Sequence, residues 1–266
     1  MSIILAKFGG TSLKDATAMN RSAMVAIETK ANIIVVSATA GTTNLIKNLI
    51  EKPEYRENFY QELKKNHLNI ARDLNISLEA HGQLLCLLND LETTHAKLLG
   101  SQENLHSLYQ DELFSFGELL SSLLFTQAWK NLKQDVVCED ARNFLKTDSQ
   151  FLKATPQIDK IATMSQVFLG RHDENKVIVT QGFIGSDSAG RTTTLGRGGS
   201  DYSAALIAEA LKAQTLYIWT DVSGILTVDP RINPAAQNVL EISYQEAMEL
   251  ASFGAKVMQP ATLLPA

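Results

Sequence analysis

Two short apolar runs, Ile3-Ile-Leu-Ala6 and Asn32-Ile-Ile-Val-Val-Ser37, carry no polar alternation, and a stretch of helical character lies between them. A strand with one wet face alternates, whereas an unbroken apolar run needs cover on both faces. Strand, helix, strand with unbroken strands therefore predicts an α/β chain with a parallel sheet covered on both sides. Each run gives way to small and polar residues: Lys7-Phe8-Gly9-Gly10-Thr11-Ser12 after the first, and Ala38-Thr39-Ala40-Gly41-Thr42-Thr43 after the second.

The remaining elements follow by periodicity. A helix opened by Thr11 or Ser12 is expected to run to about Thr29. Residues 54–133 read as consecutive helices without a strand, including Leu84 to Leu99 and Phe114 to Leu132. Strands return at Asp135 to Cys138 and Lys176 to Gln181, and Val177 to Leu195 reads as a hairpin turning through Gly185 to Gly190. A helix from Asp201 to Lys212, a strand from Leu216 to Thr220 and an amphipathic helix from Ser243 to Phe253 complete the pattern. No repeat, low-complexity tract or linker divides residues 1–266, which read as one domain with a helical insertion at about 54–133.

Several function classes are disfavoured early. A net charge of -5 speaks against nucleic-acid binding, which usually shows a basic face. No apolar run approaches the ~20 residues that span a bilayer, and the N-terminus lacks a signal-peptide pattern, so a cytoplasmic protein is expected. Cys86 and Cys138, far apart in apolar surroundings, are expected to be small buried side chains. His67, His81, His95, His106 and His172 fall at no metal-ligand spacing, and the first four, in the helical region, are expected to be solvated. No serine, histidine and acid set points to nucleophilic catalysis.

What remains is glycine loops, fixed cations and a few acids. Lys7 and Gly9-Gly10 follow a strand and precede a helix, where the backbone can approach an anion and a lysine can meet a phosphate, although a plain turn has the same letters. The spacing is neither Walker A nor G-x-G-x-x-G. Gly196-Arg197-Gly198-Gly199-Ser200-Asp201 opens a helix with a guanidinium in the loop, suited to a carboxylate or phosphate. Thr220-Asp221-Val222-Ser223-Gly224-Ile225-Leu226, with Asp229-Pro230-Arg231 after it, breaks polar at a strand's carboxyl end, where open α/β sheets bind ligands. Glu118, in Phe116-Gly117-Glu118, and Lys256, in Phe253-Gly254-Ala255-Lys256-Val257, are simplest to read as solvent-facing from the residues alone. Such an inventory suits phosphoryl transfer, which depends on positioning and charge neutralisation.

Taken together, Lys-Phe-Gly-Gly-Thr-Ser at 7–12, Val-Val-Ser-Ala-Thr-Ala-Gly-Thr-Thr-Asn-Leu at 35–45, Phe-Gly-Glu at 116–118, Gly-Arg-Thr-Thr-Thr-Leu-Gly-Arg-Gly-Gly-Ser-Asp-Tyr at 190–202 and Phe-Gly-Ala-Lys-Val at 253–257 resemble the aspartate kinase family. The likeness extends over essentially the whole chain and is nearest to the monofunctional lysine-sensitive type. It implies the amino-acid-kinase (carbamate-kinase-like) fold, a three-layer α/β/α sandwich around a mainly parallel sheet.

The resemblance also implies ATP and Mg2+, the metal carried by the nucleotide, with transfer of the γ-phosphoryl group to the β-carboxylate of L-aspartate in lysine, threonine and methionine biosynthesis. It places Lys7 on the transferring group with the amides of Phe8, Gly9 and Gly10 nearby, and Asp201 as the residue orienting that lysine. Thr43, Glu118, Arg197, Gly198, Gly199 and Ser200 would hold aspartate, Arg197 taking a carboxylate and Glu118 the ammonium. Thr220, Asp221, Leu226, Arg231, Lys256 and Val257 would bind nucleotide, Lys256 also offsetting charge in the transition state. Family members continue into regulatory ACT domains, absent from this chain, and a homodimer is expected of the full-length protein.

Two positions depart from the family pattern. Leu226 stands where tyrosine is common, which removes a ring from the adenine, and Gln259-Pro260 replaces His-Pro. Kinases of glutamate, acetylglutamate, carbamate or UMP on the same fold are the neighbouring readings, and an acetylated amine would not want Glu118. A catalytically silent nucleotide-binding regulator is disfavoured by Lys7, Asp201 and Lys256 together. A dinucleotide oxidoreductase fails on glycine spacing.

Overall fold

The computed structural model describes residues 2–173, 176–221, 224–228, 233, 235–252 and 260–263. Five parallel strands form the main sheet: β1 (Ile4–Phe8), β2 (Ile33–Val36), β3 (Val136–Glu139), β4 (Val177–Gln181) and β7 (Thr215–Trp219), in the order β3-β4-β2-β1-β7. The short strands β5 (Ile184–Ser186) and β6 (Thr192–Thr194) form a separate antiparallel pair. The helices are α1 (Ala16–Glu28), α2 (Thr42–Glu51), α3 (Arg56–Asp73), α4 (Leu78–Gly100), α5 (His106–Asn131), α6 (Ile158–Leu169), α7 (Gly199–Ala210), α8 (Tyr244–Ser252) and α9 (Pro260–Leu263).

Strand parity divides the core into two layers. Ala6, Phe8, Ile34 and Val36 point to one face, into a cluster with Met19 of α1, Leu63 of α3, Leu91 of α4 and Phe125 of α5. Leu5, Ile33, Val35 and Ile178 point to the other, against Phe168 of α6 and Leu206 and Ile207 of α7. Both faces of β2 are buried, as its unbroken apolar run requires. Lys7 shares the parity of Leu5 and so projects, one residue from the strand end, toward the layer that holds α7.

Three elements differ from the sequence reading. The first helix starts later: Gly10–Leu13 is a 3-10 turn, and α1 is capped by Asp15, whose Oδ1 accepts the Ala18 N–H at 2.8 Å. The long hairpin strand is broken after Gln181. Gly182 lies so near α7 that a Cβ there would stand 2.9 Å from Ser200 Cα, and Phe183 turns through φ 66°, sending β5 out of the main sheet. Helix α7 begins at Gly199, behind Gly198 at φ 74°. The side-chain expectations also need correction: His67 and His95 are buried rather than solvated, and Cys86 and Cys138 are exposed rather than buried. Among the described residues, no helix is long and apolar enough to cross a membrane.

Candidate functional site

All five strands of the main sheet run the same way, so their carboxyl ends share one edge, and a cleft of about 810 Å³ opens there. Its walls come from the turns after β1 and β2, from α5, and from the loop between β6 and α7. Of the residues singled out by sequence, Lys7, Gly10, Thr43, Glu118, Arg197, Gly198, Gly199, Ser200 and Asp201 all line it. Four segments far apart in the chain thus converge on one cavity.

Lys7 is 7% exposed, and its ammonium meets Asp201 Oδ1 at 2.5 Å. Strand parity carries the lysine toward α7, and the first turn of α7 supplies the partner, which fixes a long flexible cation at the floor of the cleft. The turn beside it is tight: a Cβ on Gly10 would lie 2.9 Å from the Ala38 carbonyl oxygen. Glycine here lets the turns after β1 and β2 touch, closed by the Ala40 N–H donating to the Gly10 carbonyl at 3.1 Å.

Glu118 is 4% exposed and accepts the Ala38 N–H at 3.2 Å. One turn along α5, the Ser121 hydroxyl donates to the Ser37 carbonyl at 2.5 Å, so the helix grips the post-β2 loop at two consecutive residues. Close approach is again provided by glycine, since a Cβ on Gly117 would stand 2.9 Å from Ala38 Cβ. Burial pushes the Glu118 carboxyl up to about 8; the Ala38 N–H, its own backbone N–H and the charge of Lys7 offset this only in part. A buried acid raised that far is suited to receive a cation.

The loop before α7 brings a cation to the same cleft. Arg197 is exposed between Gly196 (φ 75°) and Gly198 (φ 74°) and makes no ion pair with any described residue. Two helix N-termini, of α2 behind Gly41 (φ 83°) and of α7 behind Gly198, deliver backbone amides to the cleft. The cleft therefore holds a buried carboxyl, an exposed guanidinium, a fixed ammonium and two positive helix ends.

The predicted nucleotide set is less gathered. The Phe8 side chain is in the core, with its ring 6.5 Å from that of Trp219, and the Gly9 N–H donates to the Trp219 carbonyl at 3.3 Å. Thr220 and Asp221 are exposed beyond β7, and half-buried Leu226 forms a bridge to Asn238. None of these five lines the cleft. Arg231, Lys256 and Val257 lie outside the described residues.

Other contributors were not singled out from the sequence. His67, fully buried on α3, directs Nδ1 at the Leu63 carbonyl (2.8 Å) and Nε2 at the Thr39 hydroxyl (3.2 Å), which is 2.6 Å from the Thr42 hydroxyl. The Leu63 carbonyl can only accept, so Nδ1 carries the proton and Nε2 accepts from Thr39. Burial pulls this imidazole down to about 4. His67 itself lies behind the cleft wall, where Thr39 is the lining residue, whereas Leu152 (φ 68°) and Phe183 (φ 66°) line the cleft directly, both bulky residues in left-handed backbone. Nothing in the local sequence of any of these three signals the cleft, because their partners are remote in the chain. Among the described residues, no group of three or more His, Cys, Asp or Glu is arranged to hold a metal ion.

A parallel sheet with a cleft at its carboxyl edge, lined by Lys7, Arg197 and two helix N-termini, defines an α/β protein whose cleft suits a small anionic ligand. A model of the amino acid kinase family matches residues 2–266, and the chain belongs to that family. It is similar to lysine-sensitive aspartokinase 3 of Escherichia coli strain K12, at 42% identity over 99% of this chain and 59% of that protein. It is 35% identical to an aspartokinase of Chlamydia trachomatis, over 98% of this chain and 58% of the relative. The crystal structure of E. coli aspartokinase III in complex with aspartate and ADP matches with a TM-score of 0.92 at 42% identity, over 99% of this chain and 59% of that one. Uridylate kinase from Archaeoglobus fulgidus, at 16% identity and a TM-score of 0.52, shares the fold alone. The chain spans just under three-fifths of the length of its aspartokinase relatives.

Proposed function

We propose that this chain is the catalytic part of an aspartate kinase, which transfers the γ-phosphoryl group of ATP to the β-carboxylate of L-aspartate. The observation that carries the reading is Glu118, a buried carboxyl facing the same cleft as Arg197 and the Lys7–Asp201 pair. A free amino acid with two carboxylates needs an acid for its ammonium, a fork for one carboxylate and room at a phosphoryl-binding lysine for the other. The similarity to an aspartokinase solved with aspartate and ADP supports the same ligands.

In this reading Glu118 takes the ammonium and Arg197 a carboxylate, with Thr43, Gly198, Gly199 and Ser200 completing the amino-acid site. The β-carboxylate is already ionised at neutral pH, so no general base is needed. One of its oxygens attacks the γ-phosphorus in line as the bond to the bridging oxygen breaks, giving β-aspartyl phosphate and ADP. Lys7, held by Asp201, offsets charge on the transferring group, with Lys256 assigned the same task. Thr220, Asp221, Leu226, Arg231 and Val257, past the carboxyl end of β7, are assigned to the nucleotide, and Phe8, Gly9 and Gly10 to the strand-end turn beneath its phosphates. Mg2+ would arrive on the nucleotide and neutralise its β and γ oxygens. One catalytic domain over residues 1–266, with its helical insertion at 54–133, a cytoplasmic location and a homodimer of the full-length protein belong to the same reading.

Hydroxylamine converts an acyl phosphate into a hydroxamate that is read by colour with ferric ion. Incubation with ATP, Mg2+ and a panel of acidic amino acids should give hydroxamate with aspartate and none with glutamate or acetylglutamate. Product from another acceptor, or none from aspartate with either this chain or its full-length form, would refute the assignment.

A further inference from the structure

Asp111 lies on α5 seven residues, about two turns, before Glu118. It is fully buried and pairs with no cation among the described residues. Its partners come from two other segments. Oδ2 accepts the N–H of Leu152 and the N–H of Thr194, each at 3.0 Å, and Oδ1 accepts the Thr194 hydroxyl at 2.5 Å. The same two segments are tied to each other by the Ala154 N–H, which donates to the Thr194 carbonyl at 2.9 Å.

Both partners are cleft residues. Leu152 is one of the two left-handed non-glycine positions in the wall, and its amide is held by this carboxylate. Thr194 ends β6, three residues before Arg197, and glycines at positive φ flank that arginine on both sides. Such a loop is placed only as well as its last rigid anchor. That anchor is the bond from Thr194 to Asp111, joined by the Leu195 N–H donating to the Phe183 carbonyl at 3.0 Å.

We infer that Asp111 is a positioning residue: through Thr194 it fixes Arg197, beyond β6, relative to Glu118 on its own helix, and so how far the side-chain carboxylate of an amino acid held by that pair reaches toward Lys7. The inference rests on the functional reading above. A carboxylate buried without a cation is a costly way to join two loops, and three converging donors recover that cost only while the geometry is kept. Burial raises the acid to about 6, with the Thr194 hydroxyl and the amides of Leu152 and Thr194 opposing the rise, so the acceptor form holds at neutral pH. Helix α5 thereby governs both contacts at the substrate's α-carbon, directly at Glu118 and indirectly at Arg197.

The test compares wild type, Asp111→Ala, Asp111→Asn and Thr194→Val, each with L-aspartate and L-glutamate in the hydroxamate assay, after circular dichroism and a thermal melt establish folding. Asp111→Ala should lower kcat/KM for aspartate about 30-fold, chiefly through KM, while KM for ATP stays within about twofold. It should also shrink the preference for aspartate over glutamate at least ~5-fold, since a loosened hold on the α-carbon lets a side chain one methylene longer place its carboxylate at Lys7. Asp111→Asn, whose single carbonyl oxygen can accept both amides while its NH2 turns to the Thr194 oxygen, should restore most of that preference. Thr194→Val, which removes only the hydroxyl bond, should fall between and serves if Asp111→Ala does not fold.

An unchanged preference in folded Asp111→Ala, or in Thr194→Val where the alanine variant does not fold, overturns the inference and leaves the functional reading standing. A wild-type chain that forms no aspartyl hydroxamate in either length overturns both.

Discussion

Lys7 and Glu118 show how differently two residues can be legible. Lys7 sits at the end of an apolar run and before two glycines, so the strand, the turn and the cation are all local, and the sequence places it. Glu118 is surrounded in sequence by apolar letters on every side of a long helix, and nothing local says that the helix is sunk between the sheet edge and the post-β2 loop. Its burial is decided by Gly117 and Ala38, far apart in the chain, and only the family resemblance raised it above a solvent-facing acid. Under the proposed function the two residues also fail differently. Lys7→Ala should lower kcat at least 100-fold with KM for aspartate within about threefold, because its charge acts on the transferring group. Glu118→Gln should raise KM for aspartate at least 10-fold and leave KM for ATP near its original value, because a buried amide cannot neutralise an ammonium. Steady-state kinetics separates the two, and near-normal turnover in Lys7→Ala would remove its assigned role.

At the scale of elements, α5 is the organising piece. Its 26 residues extend about 39 Å, and along them Asp111, Glu118, Ser121 and Ser122 bind remote segments: β6, the post-β2 loop twice, and Gln181 of β4. Such a helix shows little amphipathic contrast, which is why its sequence reads as one helix only over 114–132, short of the observed start at His106, and leaves its orientation open. Gly117 offers a clean test. Alanine is favoured over glycine inside a helix by about 1 kcal/mol, yet the added methyl would meet Ala38 Cβ at 2.9 Å. Overpacking of a tight core costs about 1–3 kcal/mol, so Gly117→Ala should be destabilised overall in urea unfolding, with KM for aspartate raised as the Glu118 turn is pushed from the loop. A more stable variant would show that the loop yields freely. The broken hairpin has the same origin: Val177 to Ile184 reads as one strand, and the break at Gly182 and Phe183 comes where Gly182 meets Ser200 of α7. The late start of α1 is local instead: the sequence reading opens the helix at Thr11 or Ser12, and the structure caps it with Asp15.

For the molecule as a whole, the parallel sheet and its two covering layers were legible because buried strands are written as unbroken apolar runs. The buried polar chemistry was not, because it joins α3, α5 and the loops through contacts that no sequence window contains. His67 carries this into stability. Its folded value of about 4 lies below the ordinary value of 6.5, so between those limits the unfolded chain binds more protons. Stability from this group is therefore complete above about pH 6.5 and is lost as pH falls toward 4, by about 3 kcal/mol in all. His67→Gln keeps an acceptor for Thr39 and removes the titration, so its urea midpoint should fall less than that of wild type between pH 7 and pH 5. Equal losses would show that the imidazole is not the acid-sensitive group.

Glu118 has the opposite habit, and its consequence reaches the surrounding solution. With the carboxyl raised to about 8, the empty molecule at pH 7 stores a proton on most copies. If an ammonium is to lie against that carboxyl, the proton must leave as the ligand enters. Aspartate binding then becomes a source of acid, and the heat it releases in a calorimeter should differ between Tris and phosphate by the difference in how those buffers take up a proton.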